Sequence, residues 1–311
     1  IIHEVGHNYF PMIINSDERQ WTWMDEGINT FLQYQTERAW TDESGKPFPS
    51  RRGPAKLIVP YMKGDKRYIS PIMTNSESIF QFGNNAYGKP CTALNILRET
   101  VMGPELFDYA FKIYANRWKF KHPSPADFFR TMEDASSVDL DWFWRGWFYT
   151  SDHCDVAITD VKQLKVDNQR PKGESTQKLV NKTIKNLAKE DKVSPMLQAV
   201  RSAENPSKAF DRIKANLTDV REKILDKEVY LCQVDLKMIG GLVMPVILKL
   251  EYEDGSNEEV RIPAEIWRMQ NELLEKTVSK VLVTNKPVQK VVLDPNLETA
   301  DTDVSNNVWS K

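Results

Sequence analysis

The segment "HEVGH" at positions 3–7 constrains this chain more than any other, because it holds two of the four histidines, four residues apart. Residues i and i+4 of an α-helix share one face, with Cβ atoms roughly 6 Å apart. A helix here can aim two imidazole nitrogens at one metal ion, and Glu4, beside His3, can reach a water on that ion. This is the H-E-x-x-H arrangement, in which the histidines bind zinc and the glutamate is the general base. The plainer competing reading is a core helix with two hydrogen-bonded histidines. It must account for a carboxylate set between them.

Catalytic zinc needs a third protein ligand and an open fourth position for water. Downstream, "WTWMDEGINTFLQYQ" reads as a helix started by Asp25, with Ile28, Phe31 and Leu32 as its buried stripe and Glu26 in its first turn. Eighteen residues lie between His7 and Glu26. From the residues alone two readings of Glu26 stand: a ligand pointing at the first helix, or an acid favoured in a first turn by the helix dipole.

The surrounding chain, to about residue 155, reads as helices joined by short loops. In "GPELFDYAFKIYANRW" Gly103 precedes Pro104 at a first-turn position, and Leu106, Phe107, Ala110, Phe111 and Tyr114 form one apolar stripe. Ser124, Pro125 and Asp127 make a helix-start signature. Leu140, Phe143, Trp144 and Trp147 recur at helical spacing, which reads as a buried face rather than a sugar-stacking platform. Residues 156–228 read as a polar linker with helices around "SPMLQAV" and "SKAFDRIKANL"; nine Lys or Arg against four Asp or Glu fall in 162–192. From about 229 the period switches to two. Val246, Leu248, Leu250 and Tyr252 alternate with Ile247, Lys249 and Glu251, "EDGS" supplies a turn before "NEEVRIP", and "KTVSKVLVT" and "QKVVLDP" flank "NKP". These runs predict a small antiparallel β-sandwich over 229–311, with a C-terminal tail.

At 311 residues and 41% hydrophobic the chain can bury a full core and divide into domains. A formal charge of −2 with both signs interleaved gives no electrostatic footprint for nucleic acid, and points to peptides or small molecules as partners. No run of about 18 apolar residues offers a membrane span. Ile1 already lies inside an apolar helical pattern, so the chain reads as the C-terminal portion of something longer. Cys91, Cys154 and Cys232 are odd in number and widely spaced, which predicts buried thiols rather than a disulfide scaffold. In "SDHCD" a second metal site competes with a turn, and the turn is favoured because adjacent side chains point apart. His122, before Pro123, reads as a loop residue, and Asn181 and Asn216 begin N-x-[ST] triplets.

His3, Glu4, His7 and, eighteen residues on, Glu26 resemble the zinc signature of the aminopeptidase N-like gluzincin metallopeptidases. "DEGINTF" is similar to that family's segment around the third ligand, "AYGKPCTALNILRETV" to its tyrosine-bearing helix, and "LDWFWRGWF" to the tryptophan-rich close of its catalytic domain. The resemblance spans about 1–155. It implies a mainly α, thermolysin-like catalytic domain (its C-terminal part) followed by the β-sandwich, one Zn²⁺ per chain on His3, His7 and Glu26, and Glu4 as base. It also implies that the Tyr87 hydroxyl stabilises the oxyanion, with Tyr61 and Tyr68 as nearby alternatives. The implied activity is removal of N-terminal amino acids from peptides, with an endopeptidase of the same clan or an inactive peptide-binding relative as alternatives. Two departures stand out: "NYFP" follows His7 where the family has glutamine, tryptophan, phenylalanine and glycine, and Asp25 replaces the usual asparagine. The family's amine-binding segment has no counterpart in the sequence. The resemblance, with the "NYFP" variant, points to the periplasm or cell envelope of a bacterium.

Overall fold

The computed structural model describes residues 1–166, 228–269 and 276–311. The helices expected around 194–200 and 207–217, and the triplets at Asn181 and Asn216, lie outside the described residues. The chain divides into two compact units, the first comprising Ile1–Val161, Val234–Lys280 and Val288–Lys311, the second Lys162–Gln233 and Val281–Pro287.

Among the described residues the helices belong to the first unit: α1 (Ile2–Gly6), α2 (Ile28–Ser44), α3 (Val59–Met62), α4 (Lys89–Ile96), α5 (Pro104–Trp118), α6 (Pro125–Ser136) and α7 (Asp141–Tyr149). Of the predicted stripes, Phe107, Ala110, Phe111 and Tyr114 of α5 and Phe143, Trp144 and Trp147 of α7 are buried, while Leu106 is half-buried. Helix α6 starts at the predicted capping box, where the Asp127 carboxylate accepts from the Ser124 N–H at 2.9 Å and its hydroxyl at 2.7 Å. Three five- or six-residue π-helical turns, Trp23–Gly27, Gly83–Gly88 and Leu97–Met102, interrupt this regularity. Such turns are rare and concentrate at functional sites.

An aromatic core holds these pieces. The fully buried Trp23 ring stacks on Phe129 at 5.8 Å and meets Phe148 edge-on at 4.7 Å. Aromatic pairs at such separations contribute roughly 0.5–1.5 kcal/mol beyond their burial. They anchor the turn that carries Asp25 and Glu26.

Among the described residues the strands are β1 (Val156–Lys165), β2 (Tyr230–Met238), β3 (Val246–Tyr252), β4 (Asn257–Ile262), β5 (Thr277–Thr284), β6 (Val288–Leu293) and β7 (Val308–Ser310). They form a three-stranded sheet in the order β1-β2-β5 and a four-stranded sheet in the order β4-β3-β6-β7. The β3–β4 hairpin is the predicted one, closed at Gly255 with φ of +82° and paired in antiparallel register from Val246↔Ile262 to Glu251↔Asn257. "NKP" does not join a hairpin, since β5 and β6 enter different sheets. The expected linker is strand rather than coil over 156–165: Val156, Ala157 and Val161 are buried while the lysines of β1 face out, which hid the strand in a charge-rich stretch. The end of the chain, expected as a tail, pairs as β7 with β6. Within the first unit, α7 meets the β region through Trp147, whose indole N–H lies 3.5 Å from the Met244 sulfur, and the Trp267 N–H donates to the Met244 carbonyl at 2.8 Å. All three cysteines are buried and free, as their count predicts.

Candidate metal centre

Helix α1 places His3 and His7 on one face, with ring centroids 4.6 Å apart. Gly6 lets that helix lie against α2, because a Cβ there would come within 2.0 Å of the Asn29 side-chain oxygen. Asn29 is buried and donates from Nδ2 to the His3 carbonyl at 2.7 Å, tying the two helices together. Glu26 arrives from the turn before α2. The helical winding begins at Trp23, ahead of the predicted start at Asp25, so Glu26 sits in a π turn rather than in the first turn of an α-helix.

His3 Nε2 lies 3.1 Å from Glu26 Oε2 and 3.1 Å from His7 Nε2, and His7 Nε2 lies 3.4 Å from the same carboxylate oxygen. The opposite nitrogens are already committed. His7 Nδ1 donates to the Phe10 carbonyl at 2.9 Å, and His3 Nδ1 faces the Gln33 side-chain oxygen at 3.1 Å. The orientation of that amide follows from its nitrogen, which donates to Glu37 Oε1 at 2.7 Å. The tautomer that these acceptors favour carries its proton on Nδ1 and offers a lone pair at Nε2. In that tautomer two nitrogen lone pairs and a carboxylate converge. A cation resolves that repulsion, and the spacing suits zinc: a tetrahedral ion with ligands at about 2.0–2.1 Å holds its ligand atoms about 3.3–3.4 Å apart. Among the described residues, His3, His7 and Glu26 are the only group of His, Cys, Asp and Glu that could hold an ion. "SDHCD" forms none; the Cys154 backbone makes an isolated β-bridge with Asp301 and its thiol is buried. His122 is a loop residue, as expected, exposed and bonded through Nδ1 to the Asn15 carbonyl at 3.0 Å.

Tyr87 joins the cluster, its ring stacked on His3 at 5.8 Å. It lies within the π turn Gly83–Gly88, which runs directly into α4. Gly27 permits that turn to approach the Glu26 turn, since a Cβ would meet Pro90 Cγ at 2.6 Å and the Ala86 carbonyl at 2.9 Å. Burial, and then the Glu26 carboxylate beside it, push the Tyr87 phenol well above its ordinary range, so it stays protonated and can donate. Tyr61 is buried and Tyr68 is 55% exposed against Phe80; neither ring touches the histidines. Glu4 is exposed on α1 and makes none of these contacts.

The sequence reading missed the groups that orient the ligands. Gln33 and the buried Glu37 fix His3, and the Phe10 carbonyl fixes His7. Asp25 Oδ1 stands 3.0 Å from His7 Nδ1 without hydrogen-bond alignment, and burial with the neighbouring Glu26 charge pushes this carboxyl up to about 7. Beside the centre a cleft of about 1120 Å³ is lined by α2 residues Thr30, Gln33 and Tyr34, by His3, and by Arg51 and Arg52.

Residues 1–147 match the profile of the peptidase family M1 domain. A glutamyl aminopeptidase of Sus scrofa is 22% identical over 176 residues, 55% of this chain and 18% of the relative. A probable aminopeptidase 2 of Sulfurisphaera tokodaii is 24% identical over 175 residues, 54% of this chain and 21% of the relative. The chain thus spans about a fifth of the length of the curated relatives it matches. Among solved structures, aminopeptidase A of Legionella pneumophila, in complex with aspartic acid, aligns over 96% of this chain and 24% of its own, with a TM-score of 0.44 and 12% identity. The segment that carries His3, His7 and Glu26, residues 1–147, is thus similar to the peptidase family M1 domain.

Proposed function

We propose that this chain carries the zinc centre of a metallopeptidase that removes N-terminal amino acids from peptides. The observation that carries the reading is the meeting of His3 Nε2, His7 Nε2 and Glu26 Oε2 3.1–3.4 Å apart, behind which both Nδ1 atoms already face oxygen acceptors. The names of the matched relatives, all aminopeptidases, support the exopeptidase assignment. His3, His7 and Glu26 hold one zinc per chain, which when bound acidifies water and polarises the scissile carbonyl. Glu4 takes the proton of the attacking water and passes it to the leaving amine. Tyr87, kept protonated by its surroundings, donates to the carbonyl oxygen as negative charge develops there. The helical part is the C-terminal part of a thermolysin-like catalytic domain and the strands form an accompanying β-sandwich. The reading extends to a bacterial envelope or periplasmic setting.

Elemental analysis of the intact protein tests the assignment. Wild type holds about one zinc, and His7→Ala holds little, because two ligands no longer make a closed set. Equal zinc in both proteins refutes the centre.

A further inference from the structure

The cleft beside the metal centre contains a cation that nothing in the proposed reaction uses. Arg52 is half-buried, and among the described residues neither it nor Arg51 forms an ion pair or a side-chain hydrogen bond. Its guanidinium carbon instead lies over the Tyr87 ring, 4.7 Å from the centroid. Nη2 is 3.5 Å from where a Cβ on Gly83 would stand, so the group is held against the turn that carries Tyr87.

The backbone behind it is built to keep it there. Gly53, the next residue, has φ of +109°, where side chains are strained, and it lies flat on Tyr34 of α2, so that a Cβ would come within 2.3 Å of that ring. Arg52 is thereby tied to the helix that follows Glu26. Removing a guanidinium from water costs free energy unless a partner takes its donors, and an aromatic face offers no acceptor for its in-plane N–H groups. Those donors suit the bidentate capture of a carboxylate. Glu37 also lines the cleft, but its carboxylate is engaged by Gln33.

We infer that Arg52 is the carboxylate-binding residue of the substrate cleft, and that the peptides this centre takes carry a carboxylate close to the bond that is cut. The inference rests on the metallopeptidase reading. The guanidinium is separated from His3 only by the Tyr87 ring contacts of 4.7 and 5.8 Å. An extended peptide advancing about 3.5 Å per residue covers that reach in two or three residues. The carboxylate is the C-terminal one of a short peptide or the side chain of an acidic residue beside the scissile bond.

Four probes separate these sources: alanyl-alanine against its C-terminal amide, and glutamyl-alaninamide against glutaminyl-alaninamide. Binding is measured by calorimetry on the intact, zinc-loaded protein bearing Glu4→Gln, which suppresses turnover, with and without Arg52→Gln. Hydrolysis of the same probes by wild type is followed in parallel. The acid of at least one pair binds roughly 10- to 100-fold more tightly than its neutral partner, as a charged hydrogen bond in a cleft supplies. Arg52→Gln removes that ratio, while Arg52→Lys, which keeps the charge without the fork, retains part of it. Loss in the first pair assigns the terminal carboxylate, and loss in the second an acidic side chain. Acid and amide binding alike, or a preference that survives Arg52→Gln in a folded protein, overturns the inference. A preference that depends on Arg52 in a protein that cuts none of the four keeps Arg52 as a carboxylate-binding residue of the cleft, but overturns the peptidase reading and with it the placing of that carboxylate beside a cut bond.

Discussion

Gly6 is the residue of the HEVGH segment whose replacement tests how the centre is assembled without touching a ligand. An alanine Cβ would stand 2.0 Å from Asn29 Oδ1 and 3.1 Å from its Cγ, so Asn29 must move. Asn29 is 1% exposed and its amide donates to the His3 carbonyl at 2.7 Å, so moving it strands a buried donor and acceptor. Unmaking that bond costs about 1–3 kcal/mol, and overfilling the contact adds a further ~1–3 kcal/mol. Alanine recovers up to ~1 kcal/mol of helix propensity over glycine. Gly6→Ala is therefore destabilised by roughly 1–6 kcal/mol, and His3 shifts with the carbonyl that loses its partner. The clash requires Asn29, so in an Asn29→Ala background the same change is near neutral or slightly stabilising. Urea unfolding of wild type, both single variants and the double variant gives the cycle, and chelator competition gives zinc affinity for each. A Gly6→Ala protein within about 0.5 kcal/mol of wild type, or an equal cost in both backgrounds, refutes this account of the contact.

Glu4→Gln keeps shape and removes the proton acceptor, so zinc content stays normal while hydrolysis falls by roughly 10²–10⁴-fold; retained turnover shows that Glu4 is not the base. Tyr87→Phe lowers kcat by roughly 10²-fold or more with KM little changed, and the Phe variants of Tyr61 and Tyr68 serve as controls. If either control collapses while Tyr87→Phe turns over normally, the oxyanion donor has been misassigned. Lys89 is fully buried, bonded to the Thr150 carbonyl at 3.0 Å, and burial followed by the Lys66 charge pushes it down to about 7. Between that value and the ordinary lysine range the unfolded chain binds a proton that the folded chain lacks, so stability rises with pH across this window. Lys89→Met accordingly raises Tm more at pH 6 than at pH 9; a pH-independent difference contradicts the depressed value.

The parts of this centre legible in the sequence are those that depend on local geometry. His3 and His7 are readable because a helix turns i and i+4 to one side, and the stripes of α5 and α7 because burial repeats with the same period. Glu26 is less so: on its own it is an acid near a helix start, and only the need for a third ligand singles it out. The orienting groups are less legible still. The partner of His7 is a backbone carbonyl, which any residue at position 10 supplies, and Gln33 and Glu37 look like ordinary polar residues of a helix until the fold brings His3 above them. The π turns at 23–27 and 83–88 leave no pattern either, because the inserted residue is stabilised by contacts far along the chain, Trp23 on Phe129 among them. Glycine marks the approaches that matter, yet its meaning emerges only from the neighbour. Gly6 sets α1 on Asn29, Gly27 sets the Glu26 turn on Pro90, and Gly53 sets the Arg52 backbone on Tyr34. A side chain at any of the three separates one wall from the next. Thus the ligands are encoded by residue type, and the distances between them by positions where a side chain is missing.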